Sequence, residues 1–395
     1  MTSKILTGIR VLDFTRILAG PFATRILADF GAEVIKVQGA KISVGTEANT
    51  GGYFQTWNRN KKSVTLDLEK PAARILALKL AKVSDLVIEN FSSRVMENWG
   101  LGYRDLQKVN PSLIMLSMSA ACHTGPGKDW VAFAPTLQAL SGLTSLSSFS
   151  KENPLGVGFP YGDIVASLFG VIAVLGALEY RKRTGVGQWL DLSEYEALCA
   201  LLAPFWTEGS AKRAVIDPPG NQDANQMAAP HGCYRCQGAD RWCVIAVHQE
   251  GEWKALCRAI NHLEWLEKDE FSNLAKRIEN RVYLDGLIEE WTRQRTPEEV
   301  VDLLQKAGIP VGIVQNAKDL DEDPHRCSRK VFLPMAHPIL GEFLADSSPI
   351  RFAEDLENRW EPAPALGEHN SQIFMELLGL TEEQLSSYIR QGVIA

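Results

Sequence analysis

The chain has 395 residues, 45% of them hydrophobic, which is enough to fill the cores of two domains. A formal charge of −7 with no long basic run argues against nucleic acid as the main partner. Seven cysteines, an odd number without regular spacing, make no disulfide framework, and no signal peptide or membrane span is read. The expected setting is cytoplasmic, with reduced thiols and no membrane contact.

In chain order, residues 11–14 read as a strand, 21–30 as a helix opened by Pro21 and closed by Gly31, and 33–37 as a second strand. This βαβ unit predicts a parallel sheet, without the G-x-G-x-x-G of dinucleotide binders. Strand 64–68, helix 71–83, strand 86–88, a short helix at 95–99 and strand 113–118 continue the pattern. Residues 135–143 read as a buried helix.

The apolar run from Ile164 to Leu178 organises the middle of the chain. Asp163 stands before it, Arg181, Lys182 and Arg183 follow, and Gly185 lies beyond, as the helix dipole and capping rules prefer. Apolar residues occur on every side, so the expectation is a helix buried all round. Ser167, Gly170 and Gly176 interrupt it, and it reads as too short for a bilayer. A carboxylate at the mouth of such a helix is either an N-cap or a reagent.

Strand 188–192 and helix 194–202 come next, then a polar stretch at 208–229 containing Pro218-Pro219-Gly220 that reads as a linker. A hairpin (234–236 and 242–247), helices at 252–260, 282–293 and 297–307, and strand 311–314 make a smaller domain. Thr296 and Glu299 form a capping box before the last of those helices. From Arg329 the tail reads as loop-rich up to Asn370, then helical at 371–378 and from Thr381. The expected domains are therefore 1–207, a linker at 208–229, 230–328, and a C-terminal return at 329–395. The fold class is α/β: a large Rossmann-like parallel-sheet domain completed by the tail, plus a smaller α+β domain.

Several motifs carry a likeness along nearly the whole chain. Ala19-Gly20-Pro21 precedes Leu27-Ala28-Asp29-Phe30-Gly31-Ala32-Glu33-Val34-Ile35-Lys36-Val37. Asn58-Arg59-Asn60-Lys61-Lys62-Ser63, Glu89-Asn90-Phe91, Trp99-Gly100-Leu101-Gly102 and Thr124-Gly125-Pro126 follow, and Ala307-Gly308-Ile309-Pro310 and Leu366-Gly367-Glu368-His369-Asn370 stand near the end. In order and spacing the chain resembles the class III CoA-transferase family, which includes crotonobetainyl-CoA and formyl-CoA members. The resemblance implies that Asp163 is a catalytic nucleophile. It would pass from a mixed anhydride with the donor acyl group to an aspartyl-CoA thioester, and thence to the acceptor acid. A carboxylate needs no base at pH 7, but as a weak nucleophile it relies on proximity.

The resemblance also implies that coenzyme A is a substrate and product rather than a tightly bound cofactor. Arg16, Ala19, Lys61, Lys62, Asn90 and Phe91, at loops beside strand ends, are its expected contacts. Leu18, His123 and Phe133 are the expected substrate contacts. Gln38, Leu18 with Arg16, and Asn98 depart from residues common in the family. The implied partners are an acyl-CoA donor and a carboxylic acid acceptor. An interlocked homodimer is expected from the family, with pairing to a related subunit as the alternative.

Cys233 and Cys236 form a C-x-x-C near His231 without a second pair at zinc spacing, so no metal is expected. Trp253 and Trp291 read as core. On the same fold, α-methylacyl-CoA racemases pair the aspartate with a histidine and a glutamate. Ala132-Phe133-Ala134 and Gln249 stand at those places here, and none of them exchanges a proton. Leu18 and Phe133 imply an apolar site and, with it, a larger or aromatic acid.

Overall fold

Neighbouring residues in the first strand serve opposite cores: Val11 packs on one face of a sheet and Leu12 on the other. The computed structural model describes residues 4–39, 47–213, 217–218, 220–223, 225–351 and 360–395. The backbone divides into two units, Met1–Thr144 with Gly156–Val215 and Lys330–Ala395, and Ser145–Leu155 with Ile216–Arg329. Part of the expected linker, residues 214–216, 219 and 224, lies outside the described residues.

The chain begins with β1 (Arg10–Asp13), α1 (Ala19–Asp29), β2 (Glu33–Gln38), α2 (Gly52–Asn58), β3 (Lys61–Thr65), α3 (Pro71–Lys82) and β4 (Leu86–Glu89). It continues through α4 (Val95–Asn98), α5 (Tyr103–Val109), β5 (Ile114–Ser119), α6 (Ala134–Leu140), α7 (Leu143–Ser147) and the long α8 (Tyr161–Thr184). Then come β6 (Trp189–Ser193), α9 (Glu194–Leu201) and α10 (Ala203–Lys212). The third strand is Lys61–Thr65, three residues earlier than its apolar content suggests.

Strands β1 to β6 pair in parallel in the order β3-β2-β1-β4-β5-β6. Leu12, Ile35, Val64, Val87 and Met115 pack with α3 on one face. Val11, Val34, Leu86 and Ile114 pack with α1 and α8 on the other. Burial on both faces explains why these strands read as near-continuous apolar runs.

Helix α8 departs from its expected environment. Val165, Ala166, Gly170, Val171, Val174 and Ala177 form a buried stripe, but Leu168, Phe169, Ile172, Leu175 and Tyr180 are exposed. It is therefore amphipathic in packing though not in composition. At 24 residues it is also longer than the apolar run suggested, and by length and composition alone it is long enough to cross a membrane. Its buried stripe, however, is committed to α1 and the sheet. Gly185 ends it with φ +74°, a conformation that favours glycine.

The second unit holds β7 (His231–Arg235), β8 (Trp242–Ala246), α11 (Glu250–Ala259), α12 (Leu274–Glu279), α13 (Arg281–Thr292), α14 (Pro297–Lys306), β9 (Val311–Ile313), α15 (Ala317–Glu322) and α16 (Pro324–Ser328). Its strands form an antiparallel sheet, β7-β8-β9. Trp253, Trp265, Phe271 and Trp291 fill its core. The Thr296–Glu299 capping box is present.

The tail is less loop-rich than its sequence suggests, because β10 (Phe332–His337) and β11 (Gly341–Asp346) form a hairpin. The pattern is hard to read because Phe332 and Leu344 are exposed while Met335 is buried. Asp346 ties the hairpin to α1 by accepting from Arg25 Nη2 at 2.9 Å. Beside it, Arg59 pairs with Asp29 at 2.6 Å. After the hairpin and before α17 (Glu382–Arg390), Ile373 and Phe374 enter the α3-side core. Thr65 N–H donates to Asn370 Oδ1 at 2.9 Å.

Candidate active site

β1 and β4 are adjacent at the centre of the sheet, where strand order reverses, and ligands of open α/β sheets bind at the carboxyl ends of such strands. The loops leaving these strands are tied together there. Arg16 N–H donates to Asn90 Oδ1 at 2.7 Å, and Asn90 Nδ2 donates back to the Arg16 carbonyl at 2.9 Å. Ile17 follows with φ +66°, a strained conformation for a β-branched residue, and its N–H donates to Glu47 Oε1 at 2.7 Å.

Two cavities open at this edge. The first, about 470 Å³, is lined by Phe14, Arg16, Lys36, Gln38, Phe91 and Trp99 among others. The second, about 410 Å³, is lined by Arg16, Asn90, Phe91, Ser119, Lys128, Trp130, Phe133, Asp163 and Glu194 among others. Arg16, Glu47 and Phe91 line both.

Asp163 enters the second cavity from the first turn of α8. Pro160 takes the N-cap position, so the cap reading of Asp163 does not apply. Its Oδ1 is buried without a hydrogen-bond partner. Burial raises its carboxyl to about 6, with its own backbone N–H acting in the opposite direction. Ser167 braces the turn from below, its hydroxyl shared between the carbonyls of Ala19 (2.6 Å) and Asp163 (2.7 Å). A side chain at Gly162 would place its Cβ 2.9 Å from Leu198 on α9, so glycine lets the two helices approach.

Glu194, the first residue of α9, is a further carboxyl on the same cavity, beside Asp163 and Glu47, that the sequence reading did not single out. Burial, and then the charge of Asp163, raises it to about 8. Ser119, at the end of β5, adds a buried hydroxyl without a partner. The one available signal for both was position: each lies at the carboxyl end of a parallel strand.

The expected contacts divide. Arg16, Asn90, Phe91, Phe133 and Asp163 line the second cavity, and Phe133 is 64% exposed. Leu18 and Ala19 are buried and line neither cavity. Lys61 lies within β3 rather than in a loop, with its ammonium fully buried against Asp13, the Pro21 carbonyl, Thr24 and Asn58. Lys62 pairs with Glu33 at 2.8 Å, away from both cavities. The His123 ring lines neither cavity and lies 3.1 Å from Asp191 and 3.6 Å from Glu89, in a T-shaped contact with Trp189. Gln38 lines the first cavity while bonded to Asn49 and Ser63, and Asn98 lines neither. Gln249 heads α11, where its N–H donates to Glu252. Among the described residues no group of three histidines, cysteines or acids is placed to hold a metal.

The model of CoA-transferase family III matches residues 6–370. The chain belongs to that family. It is 33% identical to the succinyl-CoA--D-citramalate CoA-transferase of Chloroflexus aurantiacus, over 98% of each chain. It is also 33% identical to the alpha subunit of a succinyl-CoA--L-malate CoA-transferase of Chloroflexus aurantiacus, over 98% of this chain and 92% of that one. The crystal structure of a CAIB/BAIF family protein from Brucella suis superposes with a TM-score of 0.86 at 29% identity, covering 95% of this chain and all of that one. As a class III CoA-transferase, the protein moves CoA between an acyl-CoA and a free acid.

Proposed function

We propose that transfer runs through Asp163. Its carboxylate attacks the donor thioester carbonyl, forming a C–O bond as the C–S bond breaks and CoA leaves as thiolate. The thiolate then adds to the Asp163 carbonyl of the anhydride, releasing the donor acid and leaving an aspartyl-CoA thioester. The acceptor carboxylate repeats the sequence in reverse. The observation that carries this reading is the place of Asp163 on the lining of the second cavity, with one carboxylate oxygen buried and unpartnered. A carboxyl raised towards neutrality is still largely ionised at pH 7.5 and is more basic than an ordinary aspartate. Succinyl-CoA supplied without acceptor, followed by hydroxylamine or borohydride, should leave a mass tag on the peptide containing Asp163. A saturating donor that leaves no tag at any time point would favour a direct ternary mechanism.

In this reading CoA lies across the two cavities, with its nucleotide in the first and its thioester in the second. Arg16 and Phe91, common to both, are its contacts at the junction. Asn90 acts by holding the Arg16 loop. Trp130, Val131 and Phe133 favour an acceptor with an apolar body, such as a larger or aromatic acid. Lys128 favours a second reading, a dicarboxylate like those in the relatives' names, because its ammonium has no ion-pair partner among the described residues. The exposed apolar stripe of α8 supports a homodimer as the working form. A related partner subunit is the alternative, since one relative is named as an alpha subunit.

A further inference from the structure

Three oxygen-bearing side chains that line the second cavity, Asp163, Ser119 and Glu194, leave hydrogen-bonding capacity unused. Asp163 Oδ1 and Ser119 Oγ are buried and unpartnered. The Glu194 side chain, in a residue only 8% exposed, has no hydrogen bond or ion pair among the described residues. Buried polar groups in native proteins are nearly always satisfied, so a convergent unsatisfied set marks the place of a ligand's polar atoms. We propose that Glu194, held as a neutral carboxylic acid, and the Ser119 hydroxyl donate hydrogen bonds to the carboxylate of the acceptor acid and hold it against Asp163. The inference rests on the reading of Asp163 as nucleophile.

The surroundings keep Glu194 neutral. Asp163 faces it from α8, and α6 carries no titratable residue. Asp191 on β6 is occupied with His123, and Glu208 on α10 with Lys212. Tyr195, Glu196 and Cys199 belong to its own helix, and the cations on the cavity are Arg16, beside Glu47, and Lys128. The first turn of α9 favours an anion, but burial and the charge of Asp163 outweigh it, so that the Glu194 carboxyl titrates near 8. Once Asp163 is acylated its charge is gone, and burial, the larger of the two causes, still raises the Glu194 carboxyl.

This suits the chemistry. The acceptor carboxylate attacks the aspartyl-CoA carbonyl, a C–O bond forms, and the C–S electron pair leaves with the thiolate. The thiolate then adds to the acceptor carbonyl and returns the C–O pair to Asp163 as carboxylate. No proton is gained or lost in the exchange, so Glu194 serves as a donor and keeps its proton throughout. An ionised Glu194 would repel the incoming acid.

The test is exchange of labelled succinate into succinyl-CoA as a function of pH, on variants whose circular dichroism and melting match the wild type. Glu194→Ala should raise the KM for succinate by roughly tenfold or more, and Ser119→Ala by several-fold, the scale of losing a hydrogen bond to a charged group. Both should still become tagged at Asp163 by succinyl-CoA alone, because neither removes the nucleophile, though more slowly than the wild type, since the departing donor acid uses the same contacts. Wild-type exchange should fall above about pH 8, and Glu194→Gln, which stays neutral and keeps a donor, should exchange at neutral pH and lose that fall. An unchanged succinate KM in Glu194→Ala, or an alkaline fall that persists in Glu194→Gln, overturns the proposal. Absence of the tag in the wild type counts instead against Asp163 as nucleophile.

Discussion

The ammonium of Lys61 lies 3.0 Å from Asp13 Oδ2, with both side chains fully buried. Burial opposes both charges. Even so, Lys61 and Lys36 hold Asp13 at about 2, while Asp13 offsets only part of the lowering of Lys61, which falls to about 7. Thr24 from α1 and Asn58 from α2 complete the ammonium's hydrogen bonds, so the pair pins two helices to β1 and β3.

Lys61→Met should therefore act on stability rather than on substrate. Removing one member of a buried pair leaves Asp13 without its salt-bridge partner, a loss of about 3–5 kcal/mol. A melting temperature well below that of the wild type, with an unchanged KM for acyl-CoA in the remaining folded protein, is the expected outcome. A raised KM at unaltered stability would return Lys61 to the role of CoA contact.

Asp163 should trade stability for reactivity. Its folded pKa of about 6 exceeds the ordinary aspartate value of 3.8, so the folded state binds the proton more tightly than the unfolded chain. Its contribution is then favourable at low pH and is lost as pH rises from about 4 to about 6. Above that range the ionised group costs on the order of 3 kcal/mol. Asp163→Asn should abolish transfer and raise the melting temperature at pH 7.5, with little gain at pH 4. Wild-type activity should in turn fall with an acid limb near pH 6. Destabilisation of the asparagine variant at pH 7.5 would contradict this burial argument.

Glu194 sharpens the comparison with racemisation. The residues at the expected acid/base places, Phe133 and Gln249, exchange no proton, but the cavity carries a further titratable carboxyl next to Asp163. If Glu194 acts only as a hydrogen-bond donor and delivers no proton to carbon, a 2-methylacyl-CoA in deuterated water should keep its α-hydrogen while CoA exchange runs to completion. Deuterium uptake that disappears in both Asp163→Ala and Glu194→Gln would identify the two as an acid/base pair instead.

The apolar stripe on α8 yields a fourth expectation. Light scattering of the wild type should give twice the chain mass of 43.7 kDa. Ile172→Lys, at a position 67% exposed in the single chain, should shift it towards monomer. A wild-type monomer at micromolar concentration would remove the homodimer reading.

Much of the architecture could be read locally. Pro21, Gly31 and the apolar runs around them announce β1, α1 and β2, because caps, breakers and side-chain period act between near neighbours. Thr296 with Glu299, three residues apart, marks the start of α14 for the same reason. Asp163 stood out because a charge at the head of a long apolar run is conspicuous in one dimension. Lys61 was misplaced because its partner Asp13 is 48 residues away, and only strand pairing decides that its ammonium points inward. The family resemblance makes His123 a substrate contact, whereas in the structure its ring is bonded to Asp191, 68 residues on, and lines neither cavity. Composition made α8 apolar all round, but the sheet covers one side of it. Glu194 looked like an ordinary first-turn acid; only when α9 packs against α8 does the charge of Asp163, together with burial, turn it into a neutral donor.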